Sequence, residues 1–515
     1  MLEFIRKYRD KTSSILSGFD RIVFRGLLRS LVYPEGMRKH LSRRDVPRRL
    51  FGAHAEQTTK ILKEASLAQA ERLHRPVIYL ASSQTRKETI AKKVLAEDPV
   101  DSGLLCVLSC VEPCMTYDMY RNRDAKQLEL VYRLRKCLHL YHYYIDPCFG
   151  LMHARIQTWY PFHVQVCMNG REWLARRMDQ EGCGYTRYEN SFPHLEDPGR
   201  AQQWLDTLVR LNWTETLHEI AARLNPAHEQ LLGPYARYYW TAHQTEWATD
   251  IVFTSAQDLQ RIYAPLVRGA ITAFSTRHVM RFLGKQFQSH FAGEVDSHYH
   301  ERCEGLSIKH NVNRNSVKMY DKGGRILRVE TTINNPGDIT VYRRQEGEDS
   351  KTLARRALRK GVADIQRRTQ VSQRANERYL DALSQFDTTA SLAQLLTPIT
   401  KRVKRNGTSW RGLRPWAASD TALLQSINHP EFFIAGFRNA DLSAWLYPKD
   451  QTDLRTKRAA SGRVSYRLRL LRAHGLIAKI PRTRQYRITS KGRQLCTAIL
   501  LAQNATIQQL NPNAA

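Results

Sequence analysis

The stretch Gly103-Leu104-Leu105-Cys106-Val107-Leu108-Ser109-Cys110-Val111 is almost uninterrupted apolar sequence. A strand wetted on one side alternates apolar with polar residues, so a run of this kind marks a strand covered on both faces. Such a strand needs layers above and below it, and the neighbouring patterns supply them. Asp20 to Gly26 and Pro76 to Leu80 read as further strands, Gly36 to Leu73 and Lys87 to Glu97 as helices. The alternation predicts an α/β fold built on a mixed sheet.

Two more strands are expected over Lys136 to Ile145 and Leu151 to Met168, joined by the turn formers Asp146-Pro147-Cys148-Phe149-Gly150, with a helix after Asn169-Gly170. Trp204, Leu205, Leu208 and Leu211 fall at helical spacing. Residues 198–290 are therefore expected as a helical insertion between a first α/β part, 1–197, and a completing segment, 291–400. In that segment Gly323-Gly324 separates two β-rich stretches, a hairpin signal. Helices are expected from Ser350 to Asp387, and the polar Asp296 to Arg302 reads as a loop. No internal repeat stands out. Residues 401–418 read as a basic linker, 419–502 as a last domain and 503–515 as a tail.

Charge narrows the partners. Among 515 residues, 80 Lys and Arg face 49 Asp and Glu, a formal net charge of +31. A surface this positive favours polyanions: DNA, or a structured noncoding RNA. The first residues lack the apolar core of a signal peptide and no long apolar window follows, so a cytoplasmic protein without a membrane partner is expected. The 9 cysteines are odd in number and form no CxxC pair, which suits a reducing compartment. Cys106, Cys110 and Cys114 repeat every four residues, but without the tight turn that gathers zinc ligands they read as small buried apolar residues.

Acids at strand ends are the candidate chemistry, because like charges there are costly unless a cation offsets them. Asp20 opens a strand, Glu112 closes the most apolar one, Asp146 sits at a turn and Glu330 interrupts Leu327 to Ile333. Asp20, Glu112 and Glu330 are the expected ligands of Mg²⁺, activating a nucleophile against a phosphodiester as in a nuclease or transposase. Each acid also has a plainer reading as an ion-pair or turn residue. Arg133, Arg135, Lys136, Arg155, Trp159, Lys318 and Lys322 are candidate contacts to a nucleic-acid strand, cations for phosphates and the aromatic ring for a base. No Gly-x-x-x-x-Gly-Lys-[Ser/Thr] occurs, which disfavours an NTP-driven motor.

In the last domain, Val464, Leu468 and Leu471 face inward on a helix over Ser461 to Arg472, leaving Arg463 and Arg467 on its surface. A hairpin carrying Arg482 and Arg484 follows. Through Leu470-Leu471-Arg472-Ala473-His474-Gly475-Leu476-Ile477 and Tyr486-Arg487-Ile488-Thr489-Ser490-Lys491-Gly492 this segment resembles the winged helix-turn-helix superfamily, which implies docking on DNA by these four arginines. Tyr320-Asp321-Lys322 with Leu327-Arg328-Val329-Glu330 resembles a stretch of phage and plasmid replication initiators. That likeness implies Tyr320 as an alternative nucleophile and His298 and His300 as a metal-holding pair. Ser17 to Gly26, Ile145 to Gly150, Gln157 to Phe162 and Val317 to Lys322 resemble a large family of bacterial proteins without an assigned activity, which implies a mobile-element or defence setting. Two functions stay open: a DNA-processing enzyme, and a non-catalytic RNA-binding scaffold or DNA-binding regulator.

Overall fold

A computed structural model describes the chain except residues 125, 226, 228–230, 232–236, 286–290, 292, 303–304, 345–352, 385–391, 406, 429–431, 433–435, 449–452, 481–482 and 505–515. It divides into two compact units, Met1–Asp381 and Ala382–Ala515. Among the described residues no helix is long and apolar enough to cross a membrane.

Among the described residues the first unit is organised by one sheet of eleven strands. In chain order these are β1 (Thr12–Leu27), β2 (Val77–Leu80), β3 (Gly103–Asn122), β4 (Gln127–Asp146), β5 (Gly150–Gln157) and β6 (Val164–Asn169), then β9 to β13 after a separate small hairpin of β7 (Tyr185–Tyr188) and β8 (Ser191–Leu195). The later five are β9 (Tyr239–Phe253), β10 (Val295–Arg302), β11 (Gly305–Val312), β12 (Asn315–Lys322) and β13 (Ile326–Ile333). Their order across the sheet is β10-β11-β12-β13-β9-β1-β6-β5-β4-β3-β2.

That order contains a repeat which the sequence hides. β1 is followed by helices and a meander, β3 to β6, whose last strand returns antiparallel to β1. β9 is followed by helices and a meander, β10 to β13, whose last strand returns antiparallel to β9. β1 and β9 pair antiparallel at the centre. Among the described strands of the sheet, β2, parallel to β3, lies outside the scheme. The expectation of no internal repeat is thus corrected at the level of topology.

One face of the first half is apolar. Ile22, Phe24, Ala154, Ile156, Val164, Val166 and Met168 are buried with Phe51, Ala55 and Leu62 of the helix Phe51–Arg72 and Trp213, Leu217 and Ile220 of the helix Trp213–Leu224. Each large side chain contributes about 1.5–3 kcal/mol on burial. On the second half the helix Ile365–Leu383 covers the same side. Its Asn376 donates to the carbonyls of Trp247 and Val329 and accepts from Thr331, which holds β9 and β13 together.

Several expected boundaries move. Residues 198–290 are not wholly helical: they contain β9, the strand beside β1. His298 and His300 lie on β10, an edge strand whose polarity reflects its exposed position rather than a loop. Glu112 does not end a strand, because β3 runs on to Asn122. Leu353–Ala357 is a strand paired with Thr340–Arg344, and the helix expected from Ser350 begins at Ile365.

The second unit has helices Ala418–Ile427, Asn439–Leu446 and Leu454–Ala473, a hairpin of Ile477–Lys479 with Tyr486–Ile488, and a helix Ser490–Asn504. Val464, Leu468 and Leu471 face its core, as their spacing predicts, against Leu423, Leu424, Leu442 and Ile477. The third helix starts earlier than Ser461, because Asp453 caps it by accepting from the backbone amides of Arg455 and Thr456. Within 401–418, Val403–Arg405 and Thr408–Trp410 pair as a short hairpin.

Candidate metal centre

The face of the sheet opposite the apolar core is polar. On the first half Arg25, Gln165, Arg155 and Tyr141 stand in one row across neighbouring strands, and Cys167, His153 and Tyr143 in the next. On the second half His298, Lys309, Lys318, Glu330 and Ala248 form a comparable row. A strand places alternate residues on one face, so Glu246 and Asp250 join Ala248, and Arg328 joins Glu330.

Asp20 enters this face through a bulge. Phe19 pairs with Trp247 and Ile22 with Thr245, so Asp20 and Arg21 together oppose Glu246. A bulge of this kind re-aims a side chain and sets both of its residues toward one side. Ligand oxygens of Asp20, Glu246 and Glu330 then lie within 4.8 Å of one another. Asp20 and Glu330 are buried and Glu246 is half-buried.

The surroundings fix Asp20 tightly. Asn169 ends β6 and caps the helix Gly170–Gln180, accepting from the amides of Arg171 and Glu172 while its Nδ2 donates to Asp20 Oδ1 at 2.8 Å. Gly170 permits this seat, since a Cβ there would fall 2.4 Å from the Phe19 carbonyl oxygen. Asn190, in the turn between β7 and β8, donates to both Asp20 oxygens at 2.7 and 2.6 Å. Arg328 Nη1 donates to Asp20 Oδ2 at 3.1 Å, and its other nitrogens hold Asp250 at 2.5 and 2.8 Å. Arg171, also fully buried, lies 3.1 Å from Asp250.

Glu246 and Glu330 have weaker support. Glu246 accepts from Gln244 at 2.9 Å, and Glu330 from the Tyr320 hydroxyl at 3.1 Å. Burial, with Glu330 and Asp20 beside it, pushes the Glu246 carboxyl up to about 8. Burial and Asp20 raise Glu330 as well, against the pull of Arg328 and Lys318. Burial and the same acids push Tyr320 well above the usual phenol range. Asp20, Glu246, Glu330 and Asp250 are four carboxylates against the two buried guanidiniums of Arg328 and Arg171, a deficit of two charges in the cluster. Lys318, with its ammonium 4.0 Å from the Tyr320 ring centre, and Arg21 lie near the rim and offset part of it.

Beside the cluster is an open cavity of about 540 Å³ lined by Arg21, Arg86, Lys92, Tyr141, Tyr143 and His153 among others. Arg21 belongs to both places: it lines the cavity and acts electrostatically on Glu246.

Of the four acids expected from sequence, Asp20 and Glu330 come together, and Glu246 joins them. Glu112 does not. It lies on the first half, bonded to Lys87 at 2.7 Å, Tyr141 at 2.7 Å and Arg155 at 3.2 Å, a set that draws its carboxyl below the usual range despite burial. Asp146 is also elsewhere, accepting from the amides of Cys148 and Phe149 and from Arg223 in its turn. His298 and His300 share the polar face but stand three strands from Glu330, roughly 14 Å at the usual strand spacing. They therefore hold no ion with these acids. His298 instead contacts Asp296 at 2.9 Å.

The expected strand contacts divide similarly. Arg133 and Arg135 are paired with Asp118, and Lys322 is buried against Glu189 at 2.7 Å. Trp159 packs on Phe51 and donates to the Tyr117 carbonyl, so it serves the core more than a ligand. Lys136 and Arg484 are exposed, and Arg463 and Arg467 lie over the Tyr447 ring. Arg482 lies outside the described residues. No family model, no curated protein and no solved structure matches the chain.

Proposed function

We propose that the first unit is a divalent-metal-dependent enzyme that cleaves or transfers phosphodiester strands of nucleic acid, and that the second unit is a winged helix that docks it on DNA. The observation that carries this reading is the convergence of Asp20, Glu246 and Glu330 on a cation-lined sheet face. An all-carboxylate donor set suits a hard cation such as Mg²⁺, and the surplus of carboxylates over buried guanidiniums favours a cation there. When bound there it would polarise a phosphoryl oxygen and stabilise the charge that develops on it. The cavity beside it offers cations for phosphates and tyrosine faces for unpaired bases.

Tyr320 favours one form of the chemistry. Its hydroxyl already donates to Glu330, so the attacking oxygen and a proton acceptor are in contact. In the step, the phenolic oxygen bonds to phosphorus, the bond from phosphorus to the departing sugar oxygen breaks, the phenolic proton passes to Glu330, and the departing oxygen takes a proton from water. Attack by a sugar hydroxyl reverses the sequence and rejoins a strand, so one site serves cleavage and transfer. Burial first, and then the charges of Glu330 and Asp20, hold the Tyr320 proton on, and the second of these is what a cation would neutralise.

For the second unit, the support is the order of three helices and a hairpin, with Arg463 and Arg467 on the third helix. A non-catalytic RNA scaffold remains the competing reading. The test incubates the full chain with end-labelled single-stranded and duplex DNA, with and without Mg²⁺ or Mn²⁺. Metal-dependent breakage that disappears in Glu246→Gln, with label retained covalently on wild type but not on Tyr320→Phe, is the expected result. A protein that binds a defined RNA and breaks or joins no strand under either metal would sink the enzymatic reading.

A further inference from the structure

A second cluster of ligating side chains lies away from the acids, on the long β3–β4 hairpin. In its register Cys110 pairs with His139, Glu112 with Cys137 and Cys114 with Arg135. Cys114 and Cys137 are therefore diagonal neighbours, and alternation puts both on the same face as His139. Their sulfurs are 2.7 Å apart, and ligand atoms of all three residues lie within 4.8 Å of one another.

His139 supplies the observation that points to a ligand. Its ring is 1% exposed, and Nδ1 lies 3.2 Å from the Cys137 carbonyl oxygen, a contact in which Nδ1 carries the proton and donates. The tautomer so fixed leaves a lone pair on Nε2, which is buried and has no hydrogen-bond partner. This is how a metal-binding imidazole is prepared: a backbone carbonyl holds one nitrogen and turns the other toward the ion. Without an ion, this buried acceptor has lost its hydration and gained nothing in exchange. A disulfide would use the two sulfurs and leave that nitrogen unmatched, whereas one ion satisfies all three groups.

We propose that Cys114, Cys137 and His139 bind a zinc ion through two thiolates and an imidazole. The donor set is borderline-soft, which selects Zn²⁺ over the hard cation proposed for the acids, and two thiolates neutralise its charge. Arg155 acts electrostatically on both sulfurs, in the direction that favours the thiolates a zinc ion would take. Zn–S bonds near 2.3 Å at tetrahedral angles spread the sulfurs to about 3.8 Å, a movement of roughly 1 Å within reach of small side-chain rotations. Cys114 is half-buried, which leaves a fourth position for water. Cys106 and Cys110 stay outside, buried with Ala91 and Val94 of the helix Lys87–Glu97.

The test uses the full chain purified under reducing conditions. Elemental analysis is expected to give about one zinc per chain, and cobalt titration of the stripped protein to give the near-ultraviolet thiolate charge-transfer band that carboxylate sites lack. Cys114→Ser and His139→Ala should each weaken metal retention at least tenfold, while Asp20→Asn leaves it unchanged. The cobalt spectrum needs no variant, so a misfolded mutant does not decide the outcome. Absence of zinc together with absence of the cobalt band overturns the proposal, as does an intact mass 2 Da low that maps to a Cys114–Cys137 disulfide.

Discussion

The two halves of the central sheet share a topology and differ in chemistry. In the β1 half the polar face carries arginines, histidines, tyrosines and thiols with scattered acids such as Glu112, whereas in the β9 half Glu246, Asp250 and Glu330 stand close together beside Arg328 and Lys318. A short echo links them: Asp20-Arg21-Ile22-Val23-Phe24 in β1 and Asp250-Ile251-Val252-Phe253 in β9. The extra residue in the first copy, Arg21, coincides with the bulge. One inserted residue thus separates an acid aimed at Glu246 from an acid held in regular register beside Arg328. A symmetric scaffold acquires an asymmetric site by a local defect in pairing.

That contrast predicts opposite consequences for neighbouring acids of β9. Glu246→Gln should lower strand cleavage by on the order of 10³-fold, through loss of a ligand to the cation that would stabilise charge at the reacting phosphate. It should also stabilise the metal-free fold at pH 8, because it removes a charge that Asp20 and Glu330 oppose. Asp250→Asn should do the reverse to the fold. It leaves Arg328 and Arg171 buried without their full counter-charge and should cost about 3–5 kcal/mol in denaturant unfolding. If both variants destabilise alike, the division between a binding acid and a bracing acid is wrong.

A smaller effect follows from pH. The Glu246 carboxyl holds its proton to about 8 in the fold, against an ordinary value of 4.5, so between those values the folded chain binds more protons than the unfolded one. This contribution to stability is fully present below 4.5 and is lost as pH rises through about 8. A divalent cation that binds the ionised acids replaces the proton, so added Mg²⁺ should raise the melting temperature more at pH 8.5 than at pH 5.5. Equal shifts at both values would argue that Mg²⁺ binds elsewhere.

How much of this was legible depends on which forces act locally. Asp20 and Glu330 stand out because one heads an apolar strand stretch and the other interrupts one, and the inward face of Val464, Leu468 and Leu471 follows from helical spacing alone. Glu246 escaped because β9 sits between helical segments and mixes Gln244, Thr245, Thr249 and Asp250 with its apolar residues, so its strand character is diluted by the groups that make the site. The signal available was the alternation of Trp247 with Glu246 and Ala248, and the echo of Asp-Ile-Val-Phe. Glu112 misled for the complementary reason. Its acid in an apolar strand is satisfied by Lys87, Tyr141 and Arg155, partners that only the folded register brings near.

The same comparison assigns the two halves different tasks toward a nucleic-acid strand. If the β1 half grips while the β9 half carries the acids, an exposed cation of the cavity should matter for binding and one on the far strands should not. Arg86 lines the cavity and is exposed, and Lys309 stands two strands beyond Glu330. Removing one phosphate contact lowers the salt dependence of single-strand affinity by about 0.7 in the log–log slope. Arg86→Gln should show that loss with the cleavage rate of bound substrate unchanged, while Lys309→Gln leaves the slope alone. The opposite result would lay the strand across β11 and β12, making the acid-bearing half also the gripping half and the cavity of the first half a site for something other than the strand being cut.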